Sequence, residues 1–158
     1  MCGGLLFMEK NHEYYMSLAL KEASKAREID EVPIGCVIVK DNKVIAKGHN
    51  LRETKKSPLG HAEIITIQKA CKKLNDWQLV GCTLYVTLEP CIMCAGTIIQ
   101  SRIKTVVYGA EDPKGGAFGS SINVLEANNI NHKPEIIKSI LKQECSQIIK
   151  DYFKNKRK

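Results

Sequence analysis

Two short motifs, His61-Ala62-Glu63 and Pro90-Cys91-Ile92-Met93-Cys94, place the strongest constraint on how this chain can fold. His61, Cys91 and Cys94 offer one imidazole and two thiolates, a donor set that suits Zn2+. Thirty residues separate His61 from Cys91, so the fold must bring two distant segments to one point. Structural zinc sites usually close their tetrahedron with a fourth protein ligand, whereas catalytic sites keep one position for water. Here no fourth ligand accompanies the three, and a spare carboxylate, Glu63, lies beside them. That combination predicts hydrolytic chemistry: zinc lowers the pKa of a water it binds, and Glu63 moves protons between that water and a substrate. Either motif alone says little. His-x-Glu recurs by chance, and Cys-x-x-Cys also serves redox pairs and structural zinc sites. The two in this order, with Pro before the first Cys, are far more specific.

The spacing has a geometric reason. Cys91 and Cys94 are three apart, so one helical turn puts both sulfurs on the same side. Pro90 suits a helix start because its missing N–H is not needed there. Thiolates near a helix N-terminus are favoured by the helix dipole. His61 opens a second predicted helix through Ile64, Ile65, Ile67 and Ala70, so two helix N-termini are expected to converge on one metal.

A chain of 158 residues suits one domain with one core, and 44% apolar residues are ample to fill it. No apolar run is long enough to span a membrane. Residues 1–8 lack the basic start and apolar run of a signal peptide. They read as an N-terminal extension open to disorder, with Met8 an alternative start and residues 9–158 forming the single domain. Seven cysteines, an odd number at irregular spacing outside Cys91 and Cys94, argue against a secreted disulfide framework. A reducing, cytoplasmic setting is expected, with Cys36, Cys71, Cys82 and Cys145 serving as small buried hydrophobes. The net charge of +7 favours a polyanionic partner, and Lys154, Lys156, Arg157 and Lys158 cluster beside Tyr152 and Phe153. The same charge also fits a solvated lysine-rich surface or a terminal tail.

Periodicity predicts a helix over 12–28, strands over 35–39 and 44–47 joined by Asp41-Asn42-Lys43, and a helix from His61 to about Lys73. A β-branched strand over 83–88 leads into the Cys91 helix, and a second strand covers 105–108. A glycine-rich loop runs to Ser120 and a helical turn falls within 122–127. Pro134 limits 132–138 to an edge strand at best, and an amphipathic helix covers 138–153. This order predicts a three-layer α/β/α domain around a central mixed five-stranded sheet, with the ligands at the carboxyl end of a strand.

The zinc motifs are those of nucleobase deaminases, and the similarity extends along the chain. Asn11 to Met16, Glu31-Val32-Pro33-Ile34-Gly35, Gly48-His49-Asn50, Thr87 to Gly96, Ser101-Arg102-Ile103 and Tyr108 to Ser120 carry it. From about residue 9 to its end, the chain resembles the TadA family of bacterial tRNA-specific adenosine deaminases, which have a cytidine deaminase-like fold. The resemblance implies one zinc per subunit, a homodimer, and hydrolysis of the wobble adenosine of a tRNA anticodon stem-loop to inosine. It also implies that Asn50 hydrogen-bonds a flipped nucleoside and that Pro33 and Ile34 wall the base pocket. Backbone N–H groups of Ala62 and Cys91 would hold the base and developing charge, and Asp112 would contact RNA backbone. On sequence alone Asn50 is equally a turn residue. In the loop from Asp112 to Ser120, Lys114, Phe118 and Ser120 could meet phosphate, base face and sugar. One departure is Pro58-Leu59-Gly60 before the ligand His, where family members often carry Pro-Thr-Ala; Gly60 is expected to loosen that approach.

Two other function classes stay open from the residues. A deaminase of free guanine, cytosine or cytidine would share the zinc motifs, and the basic C-terminus and the 112–120 loop weigh against it. A non-enzymatic zinc module would have no need of Glu63.

Overall fold

The computed structural model describes residues 11–156; the predicted extension over 1–8 and the terminal pair Arg157 and Lys158 lie outside them. Helix α1, His12–Glu28, starts where the Asn11 side chain accepts a hydrogen bond from the Tyr14 N–H at 2.9 Å. Its inner face carries Tyr15, Met16, Ala19 and Ala23 at helical spacing. Strands β1, Gly35–Lys40, and β2, Lys43–His49, form a hairpin. Its two turn residues, Asp41 and Asn42, both adopt left-handed φ, 52° and 62°. That conformation matches the twist of a two-residue hairpin, and Asp and Asn tolerate it better than most residues.

Helix α2, Ala62–Leu74, follows a polar loop. Strand β3, Thr83–Leu88, helix α3, Ile92–Gln100, and strand β4, Thr105–Ala110, then form a parallel strand–helix–strand unit. A short 3₁₀ turn at Val124–Glu126 and strand β5, Glu135–Ile137, precede the last helix, α4, Lys142–Lys156. The sheet order is β2-β1-β3-β4-β5, antiparallel across β2-β1-β3 and parallel across β3-β4-β5. On one face, Cys36, Ile38, Leu84, Val86 and Val106 pack with Ala62, Ile67, Ala95 and Ile98 of α2 and α3. On the other, Val37, Val39, Tyr85 and Val107 pack with Tyr15, Met16 and Ala19 of α1 and Cys145 of α4. The expected three-layer α/β/α domain with a mixed five-stranded sheet is therefore what the chain forms.

Two expectations change. The C-terminal helix begins at Lys142, not 138, because Ser139 and Leu141 take left-handed φ, 68° and 53°. The Ile140 N–H donates to the Tyr108 carbonyl at 3.3 Å, which holds this stretch against β4 before the helix can start. Pro90 lies outside its helix, one residue before the cap Cys91. Its contribution is its carbonyl, which accepts from the Ala117 N–H at 2.9 Å.

Gly35 sets the seat of α1 on the sheet. A Cβ there would lie 1.9 Å from the Ala19 carbonyl oxygen and 2.5 Å from the Ala23 nitrogen, both helix backbone. Gly35→Ala must push α1 off β1, and overpacking of this kind costs about 1–3 kcal/mol or more. Urea unfolding should show a lower midpoint with an unchanged slope.

Candidate metal centre and substrate pocket

His61 is the N-cap of α2 and Cys91 the N-cap of α3, both with extended backbone. Neither side chain caps its own helix, so both are free to point past the helix ends. They meet there. His61 Nδ1 lies 3.6 Å from Cys91 Sγ and 3.5 Å from Cys94 Sγ, and the three donor atoms form one cluster. Tetrahedral bonds of about 2.3 Å to sulfur and 2.0–2.1 Å to nitrogen would set N and S roughly 3.5 Å apart. The trio fits a zinc ion without rearrangement of that edge.

The electrostatics match a closely coupled trio. The Cys94 thiol donates to Cys91 and, with His61, pulls the Cys91 thiol down to about 4. Cys94 is raised in turn, by that same bond and by burial. His61 is raised by its hydrogen bond to Cys91. A divalent cation at the centre would favour the thiolate form of both cysteines. Glu63, on the first turn of α2, is only 4% exposed. Burial, reinforced by the negative charge of Cys91, pushes its carboxyl up to about 7.

His61, Glu63 and Cys91 open into a cavity of about 160 Å³. Of the residues singled out from sequence, Ile34, Asn50, Ala62 and Asp112 also line it. Asn50 makes the expected turn, its Oδ1 accepting from the Arg52 N–H at 3.2 Å, and it also lines the cavity. Pro33 is buried behind the wall and does not line it; Lys114 and Ser120 lie beyond the lining. Sequence reasoning missed Val32, Arg52, Leu88 and Glu89, all on the lining. Glu89 had a visible signal, an acidic residue closing a β-branched run just before Pro90-Cys91.

Two further expectations are corrected, at Phe118 and at Gly60. Phe118 is 6% exposed and packed in the core, so it offers no face to a base. The Ser120 hydroxyl donates to Glu111 at 3.3 Å. Gly60 tightens its loop instead of loosening it: a Cβ there would stand 2.8 Å from Arg52 Cα, and its carbonyl accepts from the Leu51 N–H at 2.8 Å. Of the other cysteines, Cys36, Cys82 and Cys145 are buried as expected, whereas Cys71 is half-buried.

A helix-capped His/Cys/Cys cluster with a buried Glu beside it, on a three-layer α/β/α fold, defines a deaminase. The chain belongs to the MafB19-like deaminase family, which matches residues 10–157. It is 49% identical to the tRNA-specific adenosine deaminase of Bacillus subtilis (strain 168), over 92% of this chain and 91% of that one. The tRNA-specific adenosine deaminase of Aquifex aeolicus (strain VF5) is 43% identical over 92% of this chain and 95% of that one. A solved structure from studies of A-to-I editing by tRNA:A34 deaminases at the wobble position superimposes with a TM-score of 0.83. It is 44% identical and covers 85% of this chain and 98% of its own. A guanine deaminase structure from Bacillus subtilis is 34% identical with a TM-score of 0.61, covering 75% of this chain and 86% of its own.

The 51–60 side of the pocket hangs on Glu31, which is 1% exposed. Its carboxylate accepts from the Glu53 N–H at 3.1 Å, the Thr54 N–H at 2.6 Å and the Thr54 hydroxyl. Burial pushes this carboxyl up, but those donors and the nearby Arg52 charge outweigh it and hold it below 4.5. A depressed folded pKa gives stability that is full above the unfolded value and is lost as pH falls through the folded one. Glu31→Gln should therefore cost about 1.5–3 kcal/mol at neutral pH. The gap from wild type should stay flat across neutral pH and narrow only as pH falls through the depressed, folded value, below the ordinary glutamate range. Denaturant titrations across that range check both parts.

Proposed function

We infer that this chain hydrolyses adenosine to inosine at the wobble position of a tRNA anticodon, releasing ammonia. The observation that carries this is the buried Glu63 beside the His61-Cys91-Cys94 cluster, in a chain 49% identical to a tRNA-specific adenosine deaminase over nearly its whole length. His61, Cys91 and Cys94 would hold one zinc per subunit. Zinc in that position supplies the Lewis acidity that makes water a nucleophile at neutral pH. Glu63 takes a proton from the water as its oxygen adds to purine C6, and passes it to the ring nitrogen N1. Glu63 then carries the remaining proton of the added hydroxyl to the exocyclic amine, the C6 oxygen becomes the carbonyl of inosine as the C6–N bond breaks, and ammonia leaves. Ala62 and Cys91 sit at helix starts, where backbone N–H groups lack helical partners and can steady developing negative charge. The Asn50 amide nitrogen has only a long contact to the Val32 carbonyl, 3.4 Å, and is the donor best placed for the base.

A cavity of about 160 Å³ matches one base in size. A single extruded base enters and the rest of the substrate stays outside. A groove of about 650 Å³ shares Val32 and Arg52 with the pocket and runs past Thr54 to Tyr152 and Phe153 of α4. It offers a path for flanking nucleotides, while Asp112 lines the pocket at the start of the loop that carries Lys114 and Ser120. Lys156 contributes differently from the phosphate contact expected of it: its ammonium pairs with Asp30 at 2.7 Å. A cytoplasmic location fits an enzyme of tRNA, and among the described residues no helix is long and apolar enough to cross a membrane.

Incubation with total tRNA, followed by sequencing for adenosine-to-guanosine changes at the wobble position, tests the activity. Ammonia released from free guanine with unchanged tRNA would instead favour the guanine deaminase reading. Cys94→Ala should lose metal and activity together. Glu63→Ala should keep its zinc and lose turnover by roughly 10²–10⁴-fold or more; loss of zinc from that variant would make Glu63 a ligand.

The outer face of α3 supports pairing of two chains. Ile92 is 63% exposed, and the small residues Gly96 and Thr97 beside it would let a second backbone approach closely. Light scattering should give twice the 17.7 kDa chain mass. A monomer mass at micromolar concentration would refute it.

A further inference from the structure

Glu89 is a carboxylate that the chemistry above does not use, yet it is 2% exposed and lines the pocket beside Cys91 and Asp112. Among the described residues no Lys or Arg pairs with it. Its charge is met by three backbone N–H groups from one loop. One oxygen accepts from Asp112 at 3.1 Å, and the other from Phe118 at 3.0 Å and Ser120 at 3.2 Å. Gly116 presses against the same group, where a Cβ would lie 2.4 Å from the carboxyl carbon. One further bond welds the loop to the ligand-bearing strand end, Ala117 N–H to the Pro90 carbonyl at 2.9 Å, and Glu89 N–H to the Ala110 carbonyl at 2.9 Å ties that end to β4, from which the loop departs.

We propose that Glu89 is the positioning residue for RNA recognition. It folds the 112–120 loop around its buried carboxylate and so fixes the substrate-facing side chains relative to Cys91. Three charge-assisted bonds to one acceptor group leave the loop little freedom. Because Glu89 and Pro90 immediately precede Cys91, the loop and the metal ligand move as one body. Asp112 then reaches the pocket rim at a fixed distance from Glu63, with Lys114 and Ser120 placed from the same anchor. Glu89 acts through these residues and touches neither the metal nor the reacting atoms.

Glu89→Gln tests this with little change of shape. An amide must present its NH2 either to the Asp112 N–H or to those of Phe118 and Ser120, so one or two bonds are lost whichever way it turns. The inference rests on the tRNA reading above; wild-type conversion of an anticodon stem-loop tests that reading separately. Against the wild type, Glu89→Gln should keep one zinc per chain and raise KM for the stem-loop by roughly tenfold or more, with kcat within about threefold. In the double variant with Asp112→Ala, KM should exceed that of the worse single variant by no more than about twofold, because both changes disable the same contact. Gly116→Ala, which drives a methyl group into the carboxylate, should reproduce the KM effect, and it serves as the test if Glu89→Gln fails to fold. A fall in kcat at unchanged KM, loss of zinc, or effects that multiply in the double variant would each overturn the proposal.

Discussion

The meeting of two helix starts is the contact on which everything else in this molecule depends. His61 and Cys91 are cap residues, outside the regular turns of α2 and α3, with side chains that owe nothing to their own helices. Their separation is therefore set by where the sheet delivers the two segments. The antiparallel register of Cys36 with Val86 aligns the start of β1 with the end of β3. β3 runs straight into Glu89-Pro90-Cys91. On the other side, β2 returns alongside β1 and its end, His49-Asn50, leads into the loop to His61. A one-residue slip would move every side chain of the slipped strand to the opposite face of the sheet. Burial of the β3 run on both faces makes such a slip costly, and the nitrogen–sulfur distances inherit that precision.

Buried carboxylates that no salt bridge meets among the described residues are the second theme. Glu31 and Glu89 are both almost fully enclosed, and each is surrounded by N–H or O–H donors from a loop on the pocket rim. Desolvating a carboxylate is expensive unless hydrogen bonds replace the lost water. Each loop is thereby forced to fold around its carboxylate, since the alternative leaves a naked charge in the protein. Packed apolar residues could have held these loops in place too. They would not have fixed the orientation of individual backbone N–H groups, and so of the side chains that follow them. Glu22 is a different case: it is also buried, but side chains, Lys25 at 2.7 Å and His49 at 3.1 Å, meet it instead of loop backbone.

Local rules account for what was legible in the sequence. The helix at His12–Glu28, the Asp41-Asn42 turn and the strand before Cys91 all depend on neighbours within a few residues, where periodicity and turn chemistry decide. The metal trio was legible because its donor chemistry is unusual. Phe118, the start of α4 and Lys156 were misread for a shared reason. Each is governed by a partner far along the chain: the core for Phe118, Tyr108 for Ile140 at the foot of α4, and Asp30 for Lys156. Gly60 was misread in the opposite sense, since glycine suggested slack where Arg52 in fact leaves no room for a Cβ.

The fate of Lys156 bears on what the +7 charge does. Its ammonium meets Asp30, and the Tyr152 hydroxyl donates to the Asp30 carbonyl at 3.1 Å. Both partners therefore tie the C-terminal helix to the residue just before Glu31 and Val32. An exposed ion pair adds little stability, but this one sits at the edge of the groove that continues the pocket. The end of α4 is thus a wall of the groove as well as a source of positive charge. Counting basic residues overstates the part of the charge free to meet phosphate. The share that remains free is spread over lysines such as Lys55, Lys56, Lys114 and Lys154, all exposed. They lie on loops and a helix end around the pocket, not in one stripe. Such a spread would attract a polyanion over a broad area without fixing its register.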